Sequence, residues 1–195
     1  MKVAAYDENN VPAWPDGFDL SDLKHTQLIK QADVVMAMYL LDEEFDEETI
    51  RLNYNYYLPR TMHKSTLSAS IYSIVALRLG EQAEAYDCFV RTAEADLVDS
   101  QGSTWQGPHI ASAGGTWQAV VFGFGGMGVD PDGVVAFRPH LPPTWRSMAF
   151  TAAWQDVRLD VRISGDRTEV TRRAPRGFSG REAMVVRAND EDVYV

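Results

Sequence analysis

The chain has 195 residues, 45% hydrophobic and 24% charged, with a formal net charge of −10. That is enough apolar material for one sizeable folded domain or two small ones, so disorder is excluded as the default. The acidic balance excludes non-specific binding to nucleic acid or to an anionic membrane surface, both of which need clustered Lys and Arg.

Cys88 is the single cysteine, which excludes an internal disulfide framework, and the four scattered histidines leave no zinc-like spacing. No metal is expected. No apolar run reaches the ~18–20 residues of a membrane span, and Met1–Asp7 lacks the apolar core of a signal peptide. The chain therefore reads as cytoplasmic, with no nucleic-acid and no membrane partner.

Residues 1–22 are rich in Pro, Asp and Asn and predict an irregular segment. Apolar residues are then so dense from Leu23 to Leu41 that the spacing predicts one helix buried nearly all round. Asp46, followed by Glu47 and Glu48, predicts an N-cap and a helix ending before Pro59. A third helix is expected over Ser68–Leu79, with Ile71, Ile74, Val75 and Leu79 on one stripe and Gly80 ending it. A fourth fits Glu81–Leu97, and a fifth begins near Gly115 and stops in the glycines after Phe124.

Beyond Met127 the period becomes alternating. Strands are expected at Val134–Arg138, Ser147–Trp154, Asp156–Ile163 and Arg167–Arg172, with weaker ones at Ala183–Arg187 and Asp192–Val195; Asp132-Gly133 and Gly165-Asp166 read as hairpin turns. Helices followed by strands predict an α+β chain of two units, 1–126 and 127–195.

Three segments could carry chemistry. The run from His109 to Met127 leads from a small polar loop into an apolar helix, where glycines let backbone N–H groups approach an anion and the helix start adds its positive dipole end. Neither Arg60–Gly80 nor Ser100–Val129 contains an Asp or Glu, in an otherwise acidic chain. Those windows suit a bound phosphate. His63-Lys64-Ser65-Thr66-Leu67-Ser68 offers a cation and hydroxyls near a helix start, although a plain Ser/Thr cap would use the same residues. Lys30 and Gln31 are polar groups in an apolar stretch; they either meet sugar hydroxyls or, with a Lys30–Asp33 pair, decorate an exposed strip. His109 could equally be structural, and Trp105 and Trp117 could floor a sugar ring or fill a core.

Taken in order, Lys30-Gln31-Ala32-Asp33, His63–Ser68 and His109–Met127 resemble the C-terminal part of glycoside hydrolase family 65, the maltose, trehalose and kojibiose phosphorylases. The resemblance covers roughly Leu23–Arg172. It implies that residues 1–126 are the last helices of an (α/α)6 barrel and that residues 127–195 form a small antiparallel β-sandwich domain. It also implies that Lys30 and Gln31 line the glucose subsite, while Ser65, Thr66, His109 and a Gly114-Gly115 turn surround inorganic phosphate. Phosphate would then be a co-substrate beside the disaccharide, with no other cofactor, and attack would give inverted β-glucose 1-phosphate.

The region that carries the family's general acid is not matched here, so this chain is expected to be part of a longer enzyme and inactive alone. It should also associate with itself or with the rest of the barrel. The resemblance leaves open a hydrolase of the same family acting on α-glucobioses, and a non-catalytic carbohydrate-binding or scaffold fragment. Two departures stand out: Ser65-Thr66 replaces a common Ser-Ser, and Pro108 precedes the histidine, restricting Gly107.

Overall fold

A computed structural model describes residues 17–63, 65–99, 102–173 and 184–195. Backbone contacts divide the chain into two compact units, Met1–Ala119 and Val120–Val195. The first is helical and the second is built of strands, which makes the chain α+β.

In the first unit the expected helix from Leu23 to Leu41 does not form. A 3-10 helix, Leu20–His25, stops at Thr26, whose hydroxyl takes the Leu28 N–H at 3.1 Å. Ile29 then spends its main-chain groups on a distant segment: its N–H donates to the Arg60 carbonyl and its own carbonyl accepts from Met62 N–H, both at 2.9 Å. This isolated parallel bridge, Ile29 with Thr61, leaves no helical partner for the backbone there. Helix α1 is only Asp33–Leu40, and Met36, Leu40 and Leu41 are exposed rather than buried.

Helix α2, Glu47–Tyr57, starts where expected, with the Asp46 carboxylate accepting from Thr49 N–H at 2.8 Å. Helix α3, Ser68–Arg78, ends in a Schellman motif: Glu81 N–H donates to the Ala76 carbonyl, Gly80 N–H to that of Leu77, and Gly80 takes a φ of +80°. Every residue from Ser68 to Leu77 is buried, not one stripe, because α1, α4 and α5 all pack on this helix. Two of its polar members are paired within the core. Ser73 Oγ donates to the Ala85 carbonyl at 2.8 Å, and Tyr72 and Thr61 share a hydroxyl hydrogen bond at 2.6 Å.

Helix α4 covers Gln82–Ala93. It stops short of the expected Leu97, which is 81% exposed and gives a further turn nothing to pack against. Helix α5 covers Ile110–Gln118 and so begins five residues ahead of Gly115. The His109 carbonyl accepts from Ser112 and Ala113 N–H there, closing the first turn directly after Pro108.

A π-helical segment, Ala119–Phe124, leads into the second unit, with Gly125 N–H donating back to the Val120 carbonyl at 2.7 Å. Gly126 is required where it stands, because a Cβ on it would lie 1.8 Å from the Arg138 carbonyl oxygen. Strands β1 (Met127–Val129), β2 (Val135–Phe137), β6 (Val185–Ala188) and β7 (Glu191–Tyr194) form one sheet in the order β1-β2-β6-β7. Strands β3 (Ser147–Trp154), β4 (Val157–Ser164) and β5 (Arg167–Arg173) form the other. Phe137 and Phe150, one from each sheet, bring their rings within 6.3 Å, and Leu159, Val161 and Ile163 point inward at period two.

One pairing departs from the all-antiparallel expectation: β2 and β6 run parallel. Their connection passes through the whole three-stranded sheet, long enough for the crossover that a parallel pair needs. Strand β1 was not expected; its three residues include Gly128 and an exposed Val129, too little for a visible alternation. The weaker strand expected from Ala183 begins outside the described residues.

Candidate functional site

A cleft of about 520 Å³ in the helical unit is lined by Lys30, Ser65, Thr66, Leu67, Ser103, Gln106, His109, Ile110 and Ala111. The bridge at Ile29–Thr61 sets Lys30 beside the segment leading into α3. Close packing of α5 on α3 then delivers the start of α5 to the same place. A Cβ on Gly115 would stand 2.6 Å from Ser70 Oγ, so only glycine allows that approach. Ser112 completes the arrangement, its hydroxyl lying 3.2 Å from the Thr66 carbonyl and 3.4 Å from that of Thr92.

Donors dominate the cleft. Lys30 is exposed and brings a positive charge. Ser65 Oγ accepts from Gln31 Nε2 at 3.2 Å and from Leu67 N–H at 3.3 Å, which occupies both of its acceptor sites and leaves its O–H to donate. The first turn of α5, at Ile110 and Ala111, adds the positive end of a helix dipole. Among the described residues no carboxylate lines the cleft.

His109 sits on the cleft wall with its ring tied from behind. Asp96 accepts the His109 main-chain N–H at 2.7 Å with one carboxylate oxygen, and the ring Nδ1 lies 2.5 Å from the other. These bonds hold the Asp96 carboxyl below its ordinary value of 3.8, so it is ionised at neutral pH. The ring's Nε2 lies 3.4 Å from Ser103 Oγ, a cleft residue. Asp99 pins the same loop by accepting from Ser103 N–H at 2.8 Å and Thr104 N–H at 3.0 Å.

The sequence-predicted residues thus divide. Lys30, Ser65, Thr66 and His109 meet in the cleft, and Gln31 joins them through Ser65. Gly114 and Gly115 do not line it; they lie in the second turn of α5 with helical backbone, not in a turn ahead of it. Gly115 is a packing glycine, and a Cβ on Gly114 would meet open space. Lys64 lies outside the described residues. His63 turns into a different cleft beside Arg91 and the edge of Tyr72, where burial pushes its imidazole down to about 4. Trp105 is 80% exposed and Trp117 is 48% exposed, so neither fills a core in this structure. Sequence reasoning missed Asp96, which sits 13 residues before its partner in an acidic stretch that gives no sign of the pairing.

Residues 5–118 match the Glycosyl hydrolase family 65 central catalytic domain, and residues 129–195 match the C-terminal domain of the same family. The chain belongs to glycoside hydrolase family 65. It is 46% identical over 191 residues to a kojibiose phosphorylase of Caldanaerobacter subterraneus subsp. tengcongensis, covering 98% of this chain and 24% of that protein. A kojibiose phosphorylase of Thermoanaerobacter brockii is 52% identical over 169 residues, covering 87% of this chain and 22% of its own length. An alpha,alpha-trehalose phosphorylase of Geobacillus stearothermophilus is 40% identical over 144 residues, 74% of this chain and 19% of that one. A solved structure provisionally described as a kojibiose phosphorylase from the human microbiome superposes with a TM-score of 0.79 at 30% identity, covering 91% of this chain and 23% of its own. The chain spans about a quarter of the length of the curated relatives it matches.

Proposed function

We propose that this chain is the C-terminal portion of an inverting disaccharide phosphorylase, which cleaves an α-glucosidic bond with inorganic phosphate and releases β-glucose 1-phosphate. The observation that carries the reading is the composition of the cleft: Lys30, the Ser65 hydroxyl, His109 and the start of α5 converge on it, and no described carboxylate lines it. A tetrahedral dianion needs donors on several sides and is repelled by carboxylates. Phosphate is already a nucleophile, so its oxygen attacks the anomeric carbon from the face opposite the departing oxygen. No second carboxylate is needed to activate water, as an inverting hydrolase would require.

Lys30 and Gln31 border the phosphate site on the side we assign to the transferred glucose. Thr66 and the first turn of α5 complete the phosphate shell. The proton for the departing sugar oxygen is assigned to no residue of this chain, and it would come from the part of the enzyme that the relatives contain and this chain does not match. Leu40, Leu52, Leu97 and Trp105 are each more than 60% exposed, apolar side chains that the remaining barrel helices or a second copy would cover. We place the enzyme in the cytoplasm; no helix of the described residues is long and apolar enough to cross a membrane.

The test is to assay the enzyme containing this chain on kojibiose and trehalose with and without phosphate. β-Glucose 1-phosphate formed only with phosphate is the expected result. Glucose release at the same rate without phosphate would overturn the reading in favour of a hydrolase.

A further inference from the structure

We infer that Asp96 is a positioning residue, holding the His109 ring so that Nε2 is the nitrogen presented to an anion in the cleft. The inference rests on the phosphate reading of that cleft. Its basis is the double contact: one carboxylate oxygen takes the main-chain N–H of His109 and the other faces ring Nδ1, at 2.7 and 2.5 Å. The main-chain bond fixes the carboxylate against the loop, and the ring bond then fixes both the rotation and the tautomer of the imidazole. A proton shared between Nδ1 and a carboxylate belongs on Nδ1, which leaves Nε2 to the cleft wall beside Ser103 Oγ.

Among the described residues, the other charged groups facing this arrangement are Lys30, in the same cleft, and Asp99, which neighbours Asp96 and holds residues 103 and 104 without touching the ring. When a phosphate dianion enters, His109 lies between two anions. The ring takes one proton from solvent, donating Nδ1–H to Asp96 and Nε2–H to a phosphate oxygen. Each hydrogen then bridges groups of opposite charge, the geometry in which such bonds are strongest.

Asp96→Asn tests this with almost no change of shape. Its single amide oxygen is expected to keep the main-chain N–H of His109, turning the NH₂ toward the ring and forcing the proton onto Nε2. In the 195-residue chain at pH 8, long-range proton–nitrogen NMR should show the Nδ1–H tautomer for the native protein and Nε2–H for the variant. Calorimetric titration with inorganic phosphate, in two buffers of different ionisation heat, should show proton uptake by the native chain and none by Asp96→Asn. The variant still offers a neutral Nε2–H to the phosphate, so it should bind no more than about tenfold more weakly, the loss of the imidazolium charge and not of a donor. Asp99→Asn serves as the control for a merely structural role and should keep the Nδ1–H tautomer and the proton uptake. Phosphate binding with the tautomer and proton uptake unchanged in Asp96→Asn overturns the positioning role alone. No phosphate binding by the native chain overturns the reading of the cleft itself, while the tautomer measured without ligand still decides what Asp96 does to the ring.

Discussion

Gly115 and Ser70 meet so closely that a methyl group on the glycine would press to 2.6 Å from the serine hydroxyl oxygen. That contact lets α5 lie against α3 and brings Ile110 and Ala111 to the loop holding Ser65 and Thr66. Gly115→Ala should therefore destabilise the helical unit by about 1–3 kcal/mol, the usual range for overpacking. Its neighbour provides the contrast. A Cβ on Gly114 meets nothing within 4 Å, so Gly114→Ala should leave stability unchanged or raise it by up to about 1 kcal/mol. Thermal melts of the two variants by circular dichroism check this, and equal behaviour would contradict the packing role.

His63 supplies a pH dependence. Burial, aided by Arg91, pushes its imidazole down to about 4, from an ordinary value of 6.5. The unfolded chain therefore takes up this proton before the folded chain does. Stability from the neutral ring is fully present above 6.5 and is lost as pH falls toward 4, by an amount on the order of 3 kcal/mol. Because His63 has a φ of +49°, Asn is the replacement best suited to its backbone. Urea unfolding between pH 7 and pH 4.5 should show a clearly shallower loss for His63→Asn, and identical slopes would rule the mechanism out.

In the strand unit Asp130 is held by two guanidinium groups. Arg138 grips it at 2.8 and 3.0 Å and Arg187 also contacts it, and together they lower its carboxyl to about 2. The folded value lies below the unfolded one, so the stabilisation is present above the ordinary 3.8 and disappears as pH falls through about 2. Asp130→Asn should lower the melting temperature at pH 7, by an effect of roughly 1.5–3 kcal/mol, and leave it unchanged near pH 1.5. A deficit that persists at the lower pH would show that the variant acts through packing instead.

The parts of this fold that were legible in the sequence are those whose chemistry is local. The Asp46 cap, the glycine stop at Gly80 and the alternation in Val157–Ile163 each depend on neighbours within a few residues, and each formed as expected. The misreadings share a different cause. Leu23–Leu41 has helical apolar density, but a main-chain bridge from Ile29 to the Thr61 segment overrides it, and no local pattern announces that pairing. The glycines of α5 suggested a phosphate loop because glycine at a turn and glycine at a helix crossing look alike in sequence. Only the position of Ser70 separates the two.

The same distinction applies to the cleft. Lys30, Ser65, Thr66 and His109 were singled out by residue type and by the absence of acids around them, and they converge in space. Asp96 escaped because its role comes from a fold-back of the chain after α4, which places an acid behind the histidine and away from the cleft lining.

The central claim is that this cleft, lined by no described carboxylate, binds inorganic phosphate, and a phosphate titration of the 195-residue chain followed by amide NMR tests it most directly. The account predicts saturable shifts confined to the cleft lining, Lys30, Ser65, Thr66, His109, Ile110 and Ala111 foremost, and to the Asp96 and Ser103 groups that touch the His109 ring. Lys30→Ala and Ser65→Ala should each weaken binding by about tenfold while changing stability by no more than ~0.5 kcal/mol at the exposed Lys30. Shifts scattered elsewhere on the chain, or binding indifferent to both substitutions, would contradict it.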